Sequence, residues 1–94
     1  MTEQNRKDCD KILTHYGVTG QSLIACEEAG ELIRAISKAK RQSGDSASVQ
    51  NLISEMADVL IMMEQLKSIY AIMDSEIDDE INYKLARQLG RIQA

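Results

Sequence analysis

The feature that most limits the fold of this chain is the complete absence of proline from its 94 residues. Proline ends or kinks a helix more strongly than any other residue, so no long segment of the chain is interrupted. The residues that dominate, Ala, Leu, Ile, Met, Glu, Lys and Gln, are mostly good helix formers. No stretch alternates strictly between apolar and polar residues, as a half-buried strand would. The sequence therefore predicts an all-α fold.

Glycine and short polar stretches divide the chain into four predicted helices. Gly17 is a stop signal for the first helix, and Thr19 is a suitable N-terminal cap for the second. The segment Ser43–Ser48 is the clearest loop, and Asp74 or Ser75 can cap the fourth helix. The predicted helices cover about residues 3–15, 21–41, 49–70 and 75–90. Because a short loop joins the two long helices, we expect residues 1–94 to form one four-helix bundle-like domain around an antiparallel helical hairpin.

Size and charge narrow the function classes. A chain of 94 residues buries only about 60–65% of its unfolded surface, so its core is marginal and an oligomer is expected. The net charge of −4 argues against nucleic-acid binding, which needs a basic face. No apolar run is long enough to cross a membrane, and the polar N-terminus lacks the apolar core of a signal peptide. With two cysteines and no export signal, a cytoplasmic protein without disulfides is the expectation.

The third predicted helix carries carboxylates on the apolar side that we expect to face the core. Four apolar residues lie within about 60° of Glu55 on this helix, so Glu55 falls in the middle of the apolar stripe. These residues are Leu52, Val59, Met62 and Leu66. Asp58 lies one turn further on, at the edge of the stripe. Burying an unpaired carboxylate costs several kcal/mol, so such a placement requires compensation.

The second predicted helix repeats this pattern with Glu28 and Glu31, which share a face with Ile24 and Ala35. In an antiparallel hairpin the two acidic pairs can face each other, and four carboxylates would then converge. Either some of them are protonated, or a hard cation such as Mg²⁺, Mn²⁺ or Ca²⁺ lies between them. A di-iron site would need histidine ligands, and the one histidine, His15, lies outside both pairs. The alternative is that the acids simply form a solvated helix face.

The two acidic segments resemble those of the MazG-like nucleotide pyrophosphohydrolases, in the all-α NTP pyrophosphatase superfamily. Residues 26–33, CEEAGELI, and residues 55–60, EMADVL, are similar to the EExxE and ExxD runs of that family, in the same order. The lead-in Tyr16-Gly17 followed by Gln21 and the segment Asn82-x-Lys84-x-x-Arg87 extend the resemblance. Gln88 stands where full-length MazG often has a second basic residue.

The resemblance implies an Mg²⁺-dependent hydrolase, with Mn²⁺ as a possible substitute, that converts a nucleoside triphosphate to its monophosphate and pyrophosphate in nucleotide-pool cleansing. It implies a homodimer or a dimer of dimers whose pockets are built partly from a neighbour. The predicted site residues fall into four groups by role. They are the metal ligands Glu28, Glu31, Glu55 and Asp58, the weak candidate base Glu27, the phosphate-binding Lys38, Lys84 and Arg87, and the nucleotide-binding Gln21 and Asn82.

Other interpretations of the same residues lead to different functions. Lys84 and Arg87 can simply be the basic C-terminal end of a helix, which the helix dipole favours. The chain could be a helical, dimerising regulatory module without catalysis, or a metal sensor that hydrolyses nothing. Met56, Met62 and Met63 suit adaptable core or interface positions, and Cys26 reads as a small buried apolar residue.

Overall fold

A computed structural model describes residues 1–93, and within this range the chain forms four α-helices and no strand. The helices are α1 (Glu3–Tyr16), α2 (Val18–Arg41), α3 (Ser46–Ile69) and α4 (Asp74–Gln93). The all-α prediction is confirmed, with four helices as expected. None of the helices in residues 1–93 combines the length and the apolar character needed to cross a membrane.

A single residue, Gly17, joins α1 to α2. Its φ of 87° is a conformation that residues with a side chain rarely adopt, and glycine reaches it without steric cost. Its N–H donates to the carbonyl oxygen of Leu13 at 2.8 Å, and its carbonyl oxygen accepts from the N–H of Gln21 at 3.1 Å. Gly17 therefore closes one helix and opens the next. Thr19 lies inside the first turn of α2, so the prediction that it caps this helix is wrong.

The connection between α2 and α3 is shorter than the sequence suggested, because the cap of α3 is Asp45. The carboxylate of Asp45 accepts a hydrogen bond from the backbone N–H of Ser48 at 2.8 Å, which satisfies a free donor at the helix start. Hydrogen bonds from Ser48 also hold the pKa of Asp45 below its ordinary value. The helix consequently begins at Ser46, inside the predicted loop.

Helices α2 and α3 run antiparallel and form the hairpin at the centre of the fold. Gln21, near the start of α2, is hydrogen bonded to Gln65, near the end of α3. Helix α1 packs against both members of the hairpin. Few side chains are buried, as expected for so short a chain: Cys9, Gln21, Ala35, Ser48, Met62 and Gln65. Cys26 is exposed, contrary to expectation, because its side of α2 has no neighbour within residues 1–93.

Helix α4 is held only at its beginning. The Asp74 carboxylate pairs with Lys67 of α3 and with Arg6 of α1, so Asp74 anchors the helix instead of capping it. Within residues 1–93, no α-carbon of α4 comes within 8 Å of the other three helices. The radius of gyration is 16.0 Å, whereas a compact domain of this length has about 12 Å. One chain thus forms a three-helix core with a projecting helix, and the predicted four-helix bundle is not closed within a single chain.

Candidate metal centre

Three carboxylates from the two hairpin helices meet at the middle of the hairpin. Glu28 comes from α2, and Glu55 and Asp58 come from adjacent turns of α3. One oxygen from each carboxylate can be chosen so that all three lie within 4.8 Å of one another. Each of the three residues is half-buried. We call Glu28, Glu55 and Asp58 the acidic trio.

The electrostatics of the trio are unfavourable as it stands. Burial raises the pKa of Glu28 above its usual value, and the neighbouring carboxylates of Asp58, Glu55 and Glu31 raise it further. A carboxylate surrounded by other carboxylates resists ionisation because each added negative charge repels the others. A bound cation would remove this repulsion. The three carboxylates together are therefore able to accommodate a cation.

The donor set of the trio suits a hard cation. Among residues 1–93, no histidine or cysteine joins the cluster, so every available donor is a carboxylate oxygen. Oxygen-only sites are typical of Mg²⁺, Ca²⁺ and Mn²⁺, whereas Zn²⁺ and Fe²⁺ sites usually contain histidine or cysteine. His15 lies at the end of α1, where its ring packs edge-to-face on the ring of Tyr16, with 4.6 Å between the two ring centroids.

Glu31, the fourth predicted ligand, lies one turn beyond Glu28 but is not part of the trio. Its carboxylate accepts a hydrogen bond from the guanidinium of Arg34 at 3.0 Å. The Arg34 side chain is 79% solvent-exposed and that of Glu31 is 45% exposed. An exposed pair of this kind contributes little to stability, so Glu31 can exchange Arg34 for another partner at small cost.

A basic groove lies at the C-terminal end of α2, beyond Glu28 of the acidic trio. The groove is lined by Ile33, Arg34, Ser37, Lys38 and Arg41. Lys38 is one of the residues predicted to bind phosphate, and Arg34 and Arg41 are not among them. Their spacing from Lys38, four residues before and three after, places all three on one side of α2 and could have revealed them. Glu27 is exposed on the same helix.

The predicted residues on α4 lie apart from the acidic trio within one chain. Asn82, Lys84 and Arg87 are all exposed on a helix whose α-carbons, in residues 1–93, come nowhere within 8 Å of those of α2 or α3. The Lys84 ammonium lies 4.0 Å from the carboxylate of Glu80. The Arg87 guanidinium lies over the ring of Tyr83 at 5.6 Å. These contacts lie within α4 and leave both cations accessible.

Gln21 lies inside the fold and not at its surface. It is 7% exposed, and its side-chain amide donates to Oε1 of Gln65 at 2.8 Å. A nucleotide could reach the Gln21 amide only if this contact opened. No sequence pattern indicates this pairing, because the two residues are 44 positions apart and belong to different helices.

The family model of the MazG nucleotide pyrophosphohydrolase domain matches residues 19–88 of the chain. The matched region contains every predicted site residue, and it begins after α1. The resemblance noted in the acidic segments is thereby confirmed for most of the chain. No curated protein and no solved structure matches the chain.

Proposed function

Because the chain belongs to the MazG nucleotide pyrophosphohydrolase domain family, we propose that it hydrolyses a nucleoside or deoxynucleoside triphosphate to the monophosphate and pyrophosphate. The observation that carries the proposal is the acidic trio, where three carboxylates from two helices approach within 4.8 Å. A purely structural hairpin gains nothing from such a cluster, since like charges in a half-buried site oppose folding. Cleansing of the nucleotide pool is the biological role we infer.

We propose that Glu28, Glu55 and Asp58 hold Mg²⁺, with Mn²⁺ able to replace it. Glu31 would complete the set of four if its carboxylate turned from Arg34 towards the trio. The weak, exposed pairing of Glu31 with Arg34 at 3.0 Å is compatible with that change. When bound, Mg²⁺ supplies charge neutralisation for the triphosphate and orients the attacking water.

The residues of the chain then have distinct tasks. A carboxylate must accept a proton from the attacking water, and the candidates are Glu27 and any acid of the quartet that is not engaged by the metal. Lys38 would contact phosphate oxygens from the basic groove, and Arg34 would be released to join it when Glu31 moves. Asn82 would contact the nucleotide from α4. A contact from Gln21 would require its hydrogen bond to Gln65 to open.

We propose that Lys84 and Arg87 serve the acidic trio of a second copy. Within one chain α4 is anchored at Asp74 and then leaves the three-helix core, so these cations have no path to the trio of their own chain. A homodimer or a dimer of dimers would supply them from the neighbouring chain. Each pocket would then combine the acids of one chain with the basic residues of another.

The alternative is a helical regulatory module that dimerises without catalysis. It is favoured by the amount of apolar side chain that the protomer exposes, since such surface is typical of interaction proteins. This module would have no use for the acidic trio. Neutralising Glu55 would then be harmless or stabilising, and Mg²⁺ would have no effect.

The test is pyrophosphate release from a panel of ordinary and modified nucleoside triphosphates, with Mg²⁺ and with EDTA. Wild type and Glu55→Gln are compared, with Glu3→Gln as a control on exposed α1 outside the site. We expect release that requires Mg²⁺, is lost in Glu55→Gln and persists in Glu3→Gln. No release from any substrate by folded wild type would overturn the proposal and favour the regulatory module.

A further inference from the structure

Two contacts between α2 and α3 define the axial register of the hairpin, that is, how far one helix is displaced along the other. Gln21 of α2 lies opposite Gln65 of α3, and their side chains form the 2.8 Å hydrogen bond. Glu28 of α2 lies opposite Asp58 of α3, with carboxylate oxygens within 4.8 Å. Seven residues separate the two contacts on each helix, forwards along α2 and backwards along α3. The amide pair and the acids therefore belong to one register.

The amide pair and the acids also lie on the same side of each helix. Seven residues advance about 10.5 Å along a helix and return to within about 20° of the same side. The glutamines and the acids therefore share one seam between α2 and α3. The same count places Glu31 opposite Glu55. This register thus brings the positions of all four predicted ligands to one stretch of the hairpin.

A different register would separate the acids. If α3 slid by one turn, about 5.4 Å, Glu28 could face Met62 in place of Asp58. Apolar side chains in the seam oppose such a slide weakly, because apolar contacts are non-directional and can form again with the next turn. The hydrogen bond between Gln21 and Gln65 does oppose it, because the slide would leave two buried amides without their partner.

The opposite end of the hairpin is held by its short connection. Helix α2 ends at Arg41 and α3 begins at Ser46, with Asp45 as the cap. The acids lie between this connection and the amide pair. Among residues 1–93, the contact of Gln21 with Gln65 is the only hydrogen bond between side chains of α2 and α3. The register at the open end of the hairpin therefore depends on this contact.

An amide pair is a poor choice for stability alone. Gln65 is 1% exposed, and its Nε2 group has no hydrogen-bond partner within residues 1–93. Apolar groups of the same shape would avoid this cost, since replacing both partners of a buried hydrogen bond is nearly neutral or even stabilising. Single buried polar groups can instead fix the register of packed helices at a cost in stability.

We propose that Gln21 and Gln65 are positioning residues, which set the register of α2 and α3 and thereby bring the carboxylates of the two helices together at the candidate metal centre. Both side chains are neutral, so they hold the helices together where the acids, without a cation, repel one another. In this role Gln21 keeps its partner, and the contact does not need to open. The inference rests on the metal centre of the proposed function but not on hydrolysis.

The first test is the affinity for Mn²⁺, measured without nucleotide by electron paramagnetic resonance of the free ion. Gln21→Met combined with Gln65→Met removes both amides and keeps unbranched side chains. We expect the dissociation constant of Mn²⁺ to rise about 10-fold or more, as when groups that orient metal ligands are changed. Met62→Leu is the matched control, because Met62 is buried in the seam between Gln65 and Asp58 and the change conserves volume. It should leave the Mn²⁺ affinity unchanged.

The second test measures the register itself, without metal. Nitroxide labels are placed on Cys26 and on Val49→Cys, and Cys9→Ala removes the other thiol from every protein compared. Cys26 and Val49 are exposed, and they lie at different levels of the hairpin, so a slide along the axis changes the distance between the labels. Labelled chains are diluted with unlabelled ones so that only distances within a chain are measured. We expect one narrow distance distribution with the glutamine pair and a displaced or broader one with the methionine pair.

Two results with the methionine pair would overturn the inference. It fails if the folded variant binds Mn²⁺ as tightly as wild type, or if its distance distribution is that of wild type. An equal loss of Mn²⁺ affinity in Met62→Leu would also overturn it, because any change in the seam would then have the same effect.

A milder variant decides the question if the methionine pair does not fold. The amide of Gln21→Asn is one methylene too short to keep the 2.8 Å contact with Gln65, so Mn²⁺ binding should weaken. Unchanged Mn²⁺ affinity in this variant would contradict the inference. Wild type that binds no Mn²⁺ would refute the proposed metal centre, whereas the distances would still decide whether the amides set the register. The two proposals can therefore fail separately.

Discussion

The side-chain amide of Gln21 on α2 donates a hydrogen bond of 2.8 Å to Oε1 of Gln65 on α3, and this contact is buried between the two hairpin helices. Gln65 is 1% exposed, and its own Nε2 group has no hydrogen-bond partner within residues 1–93. The pair is thus incompletely satisfied. A buried polar group without a partner costs about 1–3 kcal/mol, so each member of the pair depends on the other.

Replacing one glutamine should therefore cost more than replacing both. Gln21→Leu leaves Gln65 without any partner, and we expect it to lower the free energy of unfolding by about 1–3 kcal/mol. Gln21→Leu combined with Gln65→Leu should be less damaging than the sum of the two single changes. Urea denaturation of wild type, the two single variants and the double variant provides the double-mutant cycle that tests this. Additivity of the two changes would show that the hydrogen bond does not couple the helices.

A second prediction concerns the acidic trio and reverses sign with Mg²⁺. Without metal, Glu28→Gln should leave the melting temperature unchanged or raise it, because the change removes repulsion from Asp58 and Glu55. With Mg²⁺, wild type should be stabilised and Glu28→Gln much less so. Thermal melts with and without Mg²⁺ measure both effects, and the exposed neighbour variant Glu27→Gln should respond like wild type. A Mg²⁺ response retained in Glu28→Gln would contradict the assignment.

The basic residues of α4 make a third, independent prediction. Lys84→Ala should weaken binding of a nucleoside triphosphate about 10-fold or more, since charge-assisted contacts to phosphate are strong. Binding of the monophosphate should change less. Equilibrium titration of both ligands tests this, with Lys7→Ala as a control on α1. Equal losses for the two ligands would mean that Lys84 does not bind the terminal phosphates.

A fourth prediction follows from the ion pairs that anchor α4. The pKa of Asp74 lies below the ordinary value of 3.8. The main cause is a hydrogen bond from the Lys67 ammonium, and the positive charges of Lys67 and Arg6 lower this pKa further. A carboxylate with a lowered folded-state pKa stabilises the protein above its ordinary pKa and loses that effect as the pH falls through the lowered value. Wild type should therefore lose stability more steeply than Asp74→Asn on acidification below about pH 4. Parallel pH profiles would show that the anchor does not contribute.

The convergence of three of the four predicted acids could be expected from the sequence, because carboxylates on an apolar helix stripe break a local rule. A carboxylate at Glu55, in the middle of an apolar stripe, is improbable without a purpose, and the helical period alone placed Glu28 and Asp58 on facing sides. Capping was less predictable. Gly17 is both the C-terminal cap of α1 and the N-terminal cap of α2. Local propensity favours Thr19 as the N-terminal cap of α2, because it does not reveal that a single glycine can link two helices.

The sequence could not predict which surfaces remain uncovered. Met56 and Met62 are both apolar residues on α3, yet Met62 is buried and Met56 is 49% exposed. Periodicity shows that two apolar stripes exist, but not which one meets its own chain. The partner of a polar side chain is equally hard to predict. The ligand motif that contains Glu31 does not reveal that its carboxylate is paired with Arg34.

Because α4 is attached to the rest of the chain only at one end, the proposed enzymatic activity should depend on the protein concentration. If Lys84 and Arg87 act on the trio of a neighbouring chain, a dissociated chain holds metal ligands on one helix pair and phosphate ligands on another helix that cannot reach them. Turnover per chain would then fall on dilution, with a kinetic order in protein above one, although no inhibitor is present. The amount of protein in the solution would itself decide how much of it is active.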